Sequence, residues 1–151
     1  MRRLLAVVCL LTGCVPPMTQ PEPEQLQSAF TPVEVIRRVA GALVARGFVV
    51  VVSDADGGVL TTVRTRAPKG NADLLTCNWA VGSIAEANGA STISLSLSAR
   101  ARADGTTAVI VGTRTLVSYP SLRGALAMPD SESDCASNGA AEAAVAAAIT
   151  K

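Results

Sequence analysis

Residues 91–103 alternate without a break. Ile93, Leu95, Leu97, Ala99 and Ala101 fall on one side, and Thr92, Ser94, Ser96, Ser98, Arg100 and Arg102 on the other. A period of two with one apolar and one polar set describes a strand that is dry on one face and wet on the other, the signature of an antiparallel sheet. Asp104-Gly105 follows, a pair suited to a two-residue hairpin, and Thr106 to Val117 reads as the returning strand. Pairing across that turn sets Ala101 opposite Ala108 and Ala99 opposite Ile110 on the inner side. Arg100 then faces Val109 and Ser98 faces Val111 on the outer side. The same register drops Arg114 onto the inner face near Leu95, so the ladder needs a bulge there or the Arg must lie at the sheet's edge.

The flanking segments complete a fold class. Thr31-Pro32-Val33-Glu34 carries an N-cap, a Pro at the first helical position and the acidic member of a capping box, with Phe30 placed to pack on Val35 as a hydrophobic staple. Ile36, Val39, Ala40, Leu43 and Val44 recur at helical spacing, and Gly47 stands where a helix would stop. The β-branched run Phe48 to Ser53 predicts a buried strand, Asp54 to Gly58 a turn, and Val59 to Arg66 a second strand. Residues 67–71 form a loop, and Leu74 to Val81, with Cys77 and Trp79, predicts a third strand. Tyr119 to Glu132 is a long loop with Pro120 and Pro129. Ser137-Asn138-Gly139 then introduces an Ala-rich helix over Ala140 to Ile149, with Val145 and Ile149 on one face. The expected architecture is α+β: an antiparallel sheet of about five strands in a meander, with an N-terminal and a C-terminal helix packed on one face. It occupies one domain, residues 30–151.

The N-terminus reads differently. Met1-Arg2-Arg3 is basic, Leu4 to Leu11 is apolar, and Leu11-Thr12-Gly13-Cys14 follows. A basic start and a short apolar run describe a secretory signal peptide, residues 1–13, and the run falls well short of the ~20 residues a spanning helix needs. The order Leu-Thr-Gly-Cys resembles the lipobox of bacterial lipoproteins. That resemblance implies cleavage before Cys14, lipid (palmitate among it) on the Cys14 sulfur, and a mature chain anchored to a membrane of the cell envelope. Two or more acyl chains suffice for stable anchoring. Val15 takes the place where an Asp favours inner-membrane retention, which implies the outer membrane, facing the periplasm, in a Gram-negative host. Residues 14–29 hold the lipidated Cys and a segment with Pro16, Pro17, Pro21 and Pro23, expected to be a solvated, disordered tether.

With Cys9 leaving in the leader and Cys14 taken by lipid, Cys77 and Cys135 remain. In an oxidising compartment they are expected to form a disulfide rather than two buried thiols. Closing that loop would stabilise the fold by about 4 kcal/mol in the chain-entropy model. Two cysteines and no His do not make a usual zinc site, and no cofactor is expected. The charge, 13 basic against 12 acidic groups, offers no basic field for nucleic acid. The absence of His removes the commonest general base. Ser83, Ser118 and Ser121 lack a nucleophile-elbow setting. Asp54 and Asp56 precede Gly57-Gly58 and read as turn residues; Asp130, Glu132 and Asp134 read as an acidic cluster favouring the start of the last helix.

One surface stands out as a possible binding face: Arg64 and Arg66, then Arg100 and Arg102, at alternate strand positions among Ser and Thr. Alternate guanidinium groups on one side can grip a carboxylate-bearing partner or an anionic saccharide. The helix-then-hairpin opening from Thr31 through Gly58 resembles that of small envelope lipoprotein domains, and the helix-on-sheet order resembles the domains of the outer-membrane assembly lipoprotein BamC. The anchor, the tether, the compact stapled domain and the missing catalytic set point to a non-enzymatic accessory or assembly factor with an envelope protein as partner. The alternative is a module binding a small molecule or a cell-wall saccharide through the sheet face or the Tyr119 to Glu132 loop.

Overall fold

The structure is a computed structural model describing residues 18–66, 68–77, 90–118 and 135–150. The leader with Cys14, Trp79, the loop Tyr119 to Glu132 and the acidic cluster Asp130, Glu132, Asp134 lie outside the described residues. In chain order the elements are β1 (Glu24–Ser28), α1 (Pro32–Val44), β2 (Val49–Asp54), β3 (Val59–Arg66), a 3₁₀ turn (Pro68–Asn71), β4 (Leu75–Cys77), β5 (Ala90–Ala101), β6 (Thr107–Ser118), β7 (Cys135–Ser137) and α2 (Ala140–Thr150). Five strands form one antiparallel sheet in the order β1-β6-β5-β3-β2, and β4 pairs with β7 in a separate two-stranded ribbon. The class is α+β, as the alternation and the helix signals require.

Two strands differ from expectation. Glu24–Ser28, expected within the disordered tether, is a strand on the outer side of β6, with Leu26 against the core and Ser28 buried. Ser28 Oγ donates to Ile149 O at 2.9 Å, tying the strand to the last helix. Conversely, the described part of the expected third strand, Leu75–Cys77, pairs in the ribbon rather than in the main sheet, and residues 78–81 lie outside the described residues.

α1 forms for the reasons its sequence displays. Thr31 Oγ1 accepts from the Glu34 N–H at 3.3 Å, and Pro32 begins the helix. Glu34 does not reach back to complete the capping box. Its carboxylate instead accepts from Arg37 and from Arg38 Nε, the latter at 2.7 Å. Phe30 receives the Arg38 guanidinium 3.8 Å above its ring centroid. At the other end, the Phe48 N–H reaches Leu43 O at 3.1 Å and the Gly47 N–H reaches Val44 O at 2.9 Å, with Gly47 left-handed at φ 81°. These paired bonds close a Schellman motif, and buried Leu43 and Phe48 supply its apolar contact. The helix buries Val35, Ile36, Val39 and Leu43, while Val44, expected on the same face, turns outward.

The core lies between the helices and one face of the sheet, filled by Leu60, Ile93, Leu95, Leu97, Val109 and Val111 from the strands and Val145 and Ile149 from α2. α2 packs against α1, and the residues it buries are Ala141, Ala144, Val145 and Ile149. Asn138 Oδ1 accepts from the Ala140 N–H at 3.0 Å and so caps its first turn.

The β5–β6 hairpin resolves the Arg114 conflict. Ala101 pairs with Thr107 and Ala99 with Val109, one residue away from the expected register. The Arg102 N–H bonds Thr106 O at 2.8 Å, the Gly105 N–H bonds Arg102 O at 3.2 Å, and Gly105 has φ 83°. This is a three-residue loop ending in a left-handed Gly, not a two-residue turn. A one-residue shift turns every side chain of a strand over. Val109, Val111 and Val117 therefore face the core, while Ile110, Arg114 and Leu116 face out.

Candidate functional site

The four arginines proposed as one face are not brought together. Arg64 pairs with Ile93 across the ladder, and Ile93 is a core residue, so Arg64 projects to the helix side and is only 5 % exposed. Its Nη1 and Nη2 donate to Asp73 Oδ2 and Oδ1 at 2.9 and 3.1 Å, and Nη2 also donates to Gly70 O at 2.9 Å. The fork-to-fork geometry holds the Asp73 carboxyl below the usual carboxylate range, chiefly through that hydrogen bond. Arg66 follows the same parity and lies against Gly47. Arg100, paired with Ala108, is on the opposite, outer face, and Arg102 sits in the hairpin loop. Arg64 is thus a structural anchor for the 3₁₀ turn, helped by Asn71 Nδ2, which donates to Ser91 O and Ser91 Oγ, both at 2.9 Å.

The expected disulfide is present. Cys77 and Cys135 sit directly opposite one another in β4 and β7, with an S–S distance of 2.05 Å. β7 leads straight into α2, so the bond fastens the start of the last helix to the segment after the 3₁₀ turn. Gln20 Nε2 reinforces this end of the molecule, donating to Thr115 Oγ1 at 2.7 Å and to Cys135 O at 2.9 Å.

What the outer face does offer is a groove, and sequence reasoning missed it. Ser96 of β5 and Gly112 of β6 are directly paired and form its floor, since Gly112 has open space where a side chain would be. Two adjoining depressions of about 430 and 320 Å³ share Pro23, Ser96 and Gly112. Arg114 and Gln20 line the first; Val59, Ser98 and Ile110 line the second. A third, of about 190 Å³, continues past Arg114 along Thr92, Ser94 and Leu116. Small hydroxyl-bearing residues line its floor, and aliphatic Val59, Ile110 and Leu116 border it together with Arg114 and Gln20. The signal was in the sequence: serines at alternate positions of β5 remove bulk from that face, and Gly112 extends the trough into β6.

A separate depression, about 500 Å³, lies between the start of α2 and the approach to β1, lined by Pro21, Glu22, Glu24, Gly139, Glu142, Ala143 and Ala146. Among the described residues no group of three or more acidic, Cys or His side chains could hold a metal ion. Also among them, no helix is long and apolar enough to cross a membrane.

No protein-family model matches the chain, and no curated protein matches it. Among solved structures, a DUF4468 family protein from Bacteroides ovatus is similar over 83 % of this chain and 68 % of its own, at 10 % identity and a TM-score of 0.38. A likeness of that size carries no argument about function.

Proposed function

We propose that the protein is a lipid-anchored, non-enzymatic component of a bacterial cell envelope that binds another protein as an accessory or assembly factor. The anchor reading comes from Leu11-Thr12-Gly13-Cys14, with lipid on Cys14. The observation that carries the binding reading is the outer-face groove over Ser96 and Gly112. It combines an aliphatic rim (Val59, Ile110, Leu116) with a floor of hydroxyl groups, the mixture of apolar contact and scattered hydrogen-bonding groups that protein interfaces use. The same hydroxyl floor favours one second reading, a cell-wall saccharide or small-molecule module, because serine and threonine hydroxyls can both give and take hydrogen bonds with sugar hydroxyls.

A photo-crosslinking amino acid at Ser96 of the full chain, activated in living cells and followed by mass spectrometry, separates the two. One envelope protein captured in stoichiometric amount supports the first. A folded, membrane-bound chain that captures no protein moves the assignment to the second. Loss of palmitate labelling on Cys14→Ala tests the anchor; retention of the label would remove it.

A further inference from the structure

Among the described residues, β1 and β2 are the two edge strands of the main sheet. β2 is Val-Val-Val-Val-Ser-Asp, expected from its composition to be a buried interior strand. It is instead an edge, with Val49, Val51 and Val52 exposed to 64, 58 and 46 %. A β-bulge between Val50 and Val52 interrupts its ladder with β3, leaving Val51 as the extra residue. Exposed valines on a strand that, among the described residues, pairs only with β3 make an edge that can accept another strand.

Charge decides which strand. Arg46 stands at the N-terminal end of β2, and Arg66 reaches the same end, against Gly47. Asp54 and Asp56 stand at the C-terminal end. Arg46 Nη1 makes one long bond, 3.4 Å to Ala140 O, which leaves its other donors available; Asp54 Oδ1 accepts from the Gly57 N–H at 2.8 Å. The strand is therefore cationic at one end, anionic at the other and apolar between. Laid antiparallel on itself about a two-fold axis, it meets its own complement: each Arg pair of one copy falls beside the Asp pair of the other. A parallel arrangement would oppose like charges.

We propose that β2 is the site of self-association, with two copies joining their sheets edge to edge, antiparallel, through Val49–Asp54. This surface is distinct from the outer-face groove and does not depend on its function. The contact is isologous, so it closes at two copies rather than growing into a fibre. Six residues a side is small against a standard interface of about 1,600 Å², so the association is of the weak, concentration-dependent kind.

Sedimentation equilibrium of the full chain, in density-matched detergent over about a hundredfold concentration range, tests this. Monomer and dimer in exchange are expected. Val51→Lys should weaken association at least tenfold without moving the thermal midpoint or the circular dichroism. Arg46→Asp and Asp56→Arg, both exposed changes, should each weaken it several-fold, and an equimolar mixture of the two should associate more tightly than either alone, since it restores opposite charges at both ends. This charge exchange decides the matter even if Val51→Lys disturbs folding. A single species of monomer mass throughout overturns the proposal, as does a mixture no tighter than its components.

Discussion

Arg64 and Arg100 occupy comparable places in the sequence, each flanked by an Arg two residues on and set among small polar residues. The sheet treats them oppositely. Arg64 is drawn to the helix side, where its guanidinium meets Asp73 and the carbonyl of Gly70. Arg100 stays outside beside Ala108 and, like Arg66 and Arg102, is exposed. Alternation within a strand says which residues share a side; it does not say which side is the core. The difference comes from what each strand pairs with: Arg64 is locked to Ile93, whose own neighbours Leu95 and Leu97 are committed to the interior.

The sharpest break in this comparison is at the exposed member of the pair. Asp73 is 59 % exposed while Arg64 is buried, so removing Asp73 strands a guanidinium with little water around it. A fully buried pair broken this way loses 3–5 kcal/mol; with the carboxylate partly wet, about 2 kcal/mol is expected for Asp73→Ala in chemical denaturation. Arg64→Met, which removes the buried charge itself and keeps an apolar stem, should lose less than Asp73→Ala. The reverse order would mean that the guanidinium's bond to Gly70 O outweighs its pairing with Asp73.

The same pair predicts a pH dependence. Asp73 has its folded pKa lowered, so its contribution is fully present above the unfolded carboxyl value, about 3.9, and is lost as pH falls through the lower folded value. The stability gap between the wild type and Asp73→Asn should be constant from neutral pH down to about 4 and narrow below it. A gap that narrows at higher pH would place the dependence elsewhere.

Two smaller effects concern the Arg100 side. Gly105→Ala forces an L-residue into the left-handed region at φ 83° and should destabilise by about 1 kcal/mol. Its loss should be visible as reduced amide protection at Arg102 and Gly105, the hairpin's bonded N–H groups. Replacing Arg100 and Arg102 by Ser should change stability by no more than about 0.5 kcal/mol, because neither is buried. A loss of several kcal/mol there would show Arg100 to be as structural as Arg64.

The parts of the fold legible in the sequence are those with local chemistry. Thr31-Pro32 and Gly47 bracket α1, the alternation of β5 separates its two faces, and Cys77 with Cys135 announces the clasp. What escaped was long-range. β1 contributes main-chain bonds to an edge and one apolar side chain, Leu26, so beside its prolines it carries no periodic signal. The register of β6 hung on a loop of three residues rather than two, a choice that Asp104-Gly105 permits in either form. Asp104 Oδ1 accepts both the Thr106 N–H, at 2.9 Å, and the Thr106 hydroxyl, at 2.6 Å, which draws Thr106 into the loop. The outer groove escaped because a face of small residues looks inert until Gly112 and Ser96 are seen to be partners.

The packing of α1 on α2, with β1 joined to β6 and Ser28 bonded across 121 residues to Ile149, closes widely separated segments over one core. Contacts of such wide sequence separation raise the loop-closure entropy that folding must overcome, so this domain should fold more slowly than a chain of the same size built on local contacts.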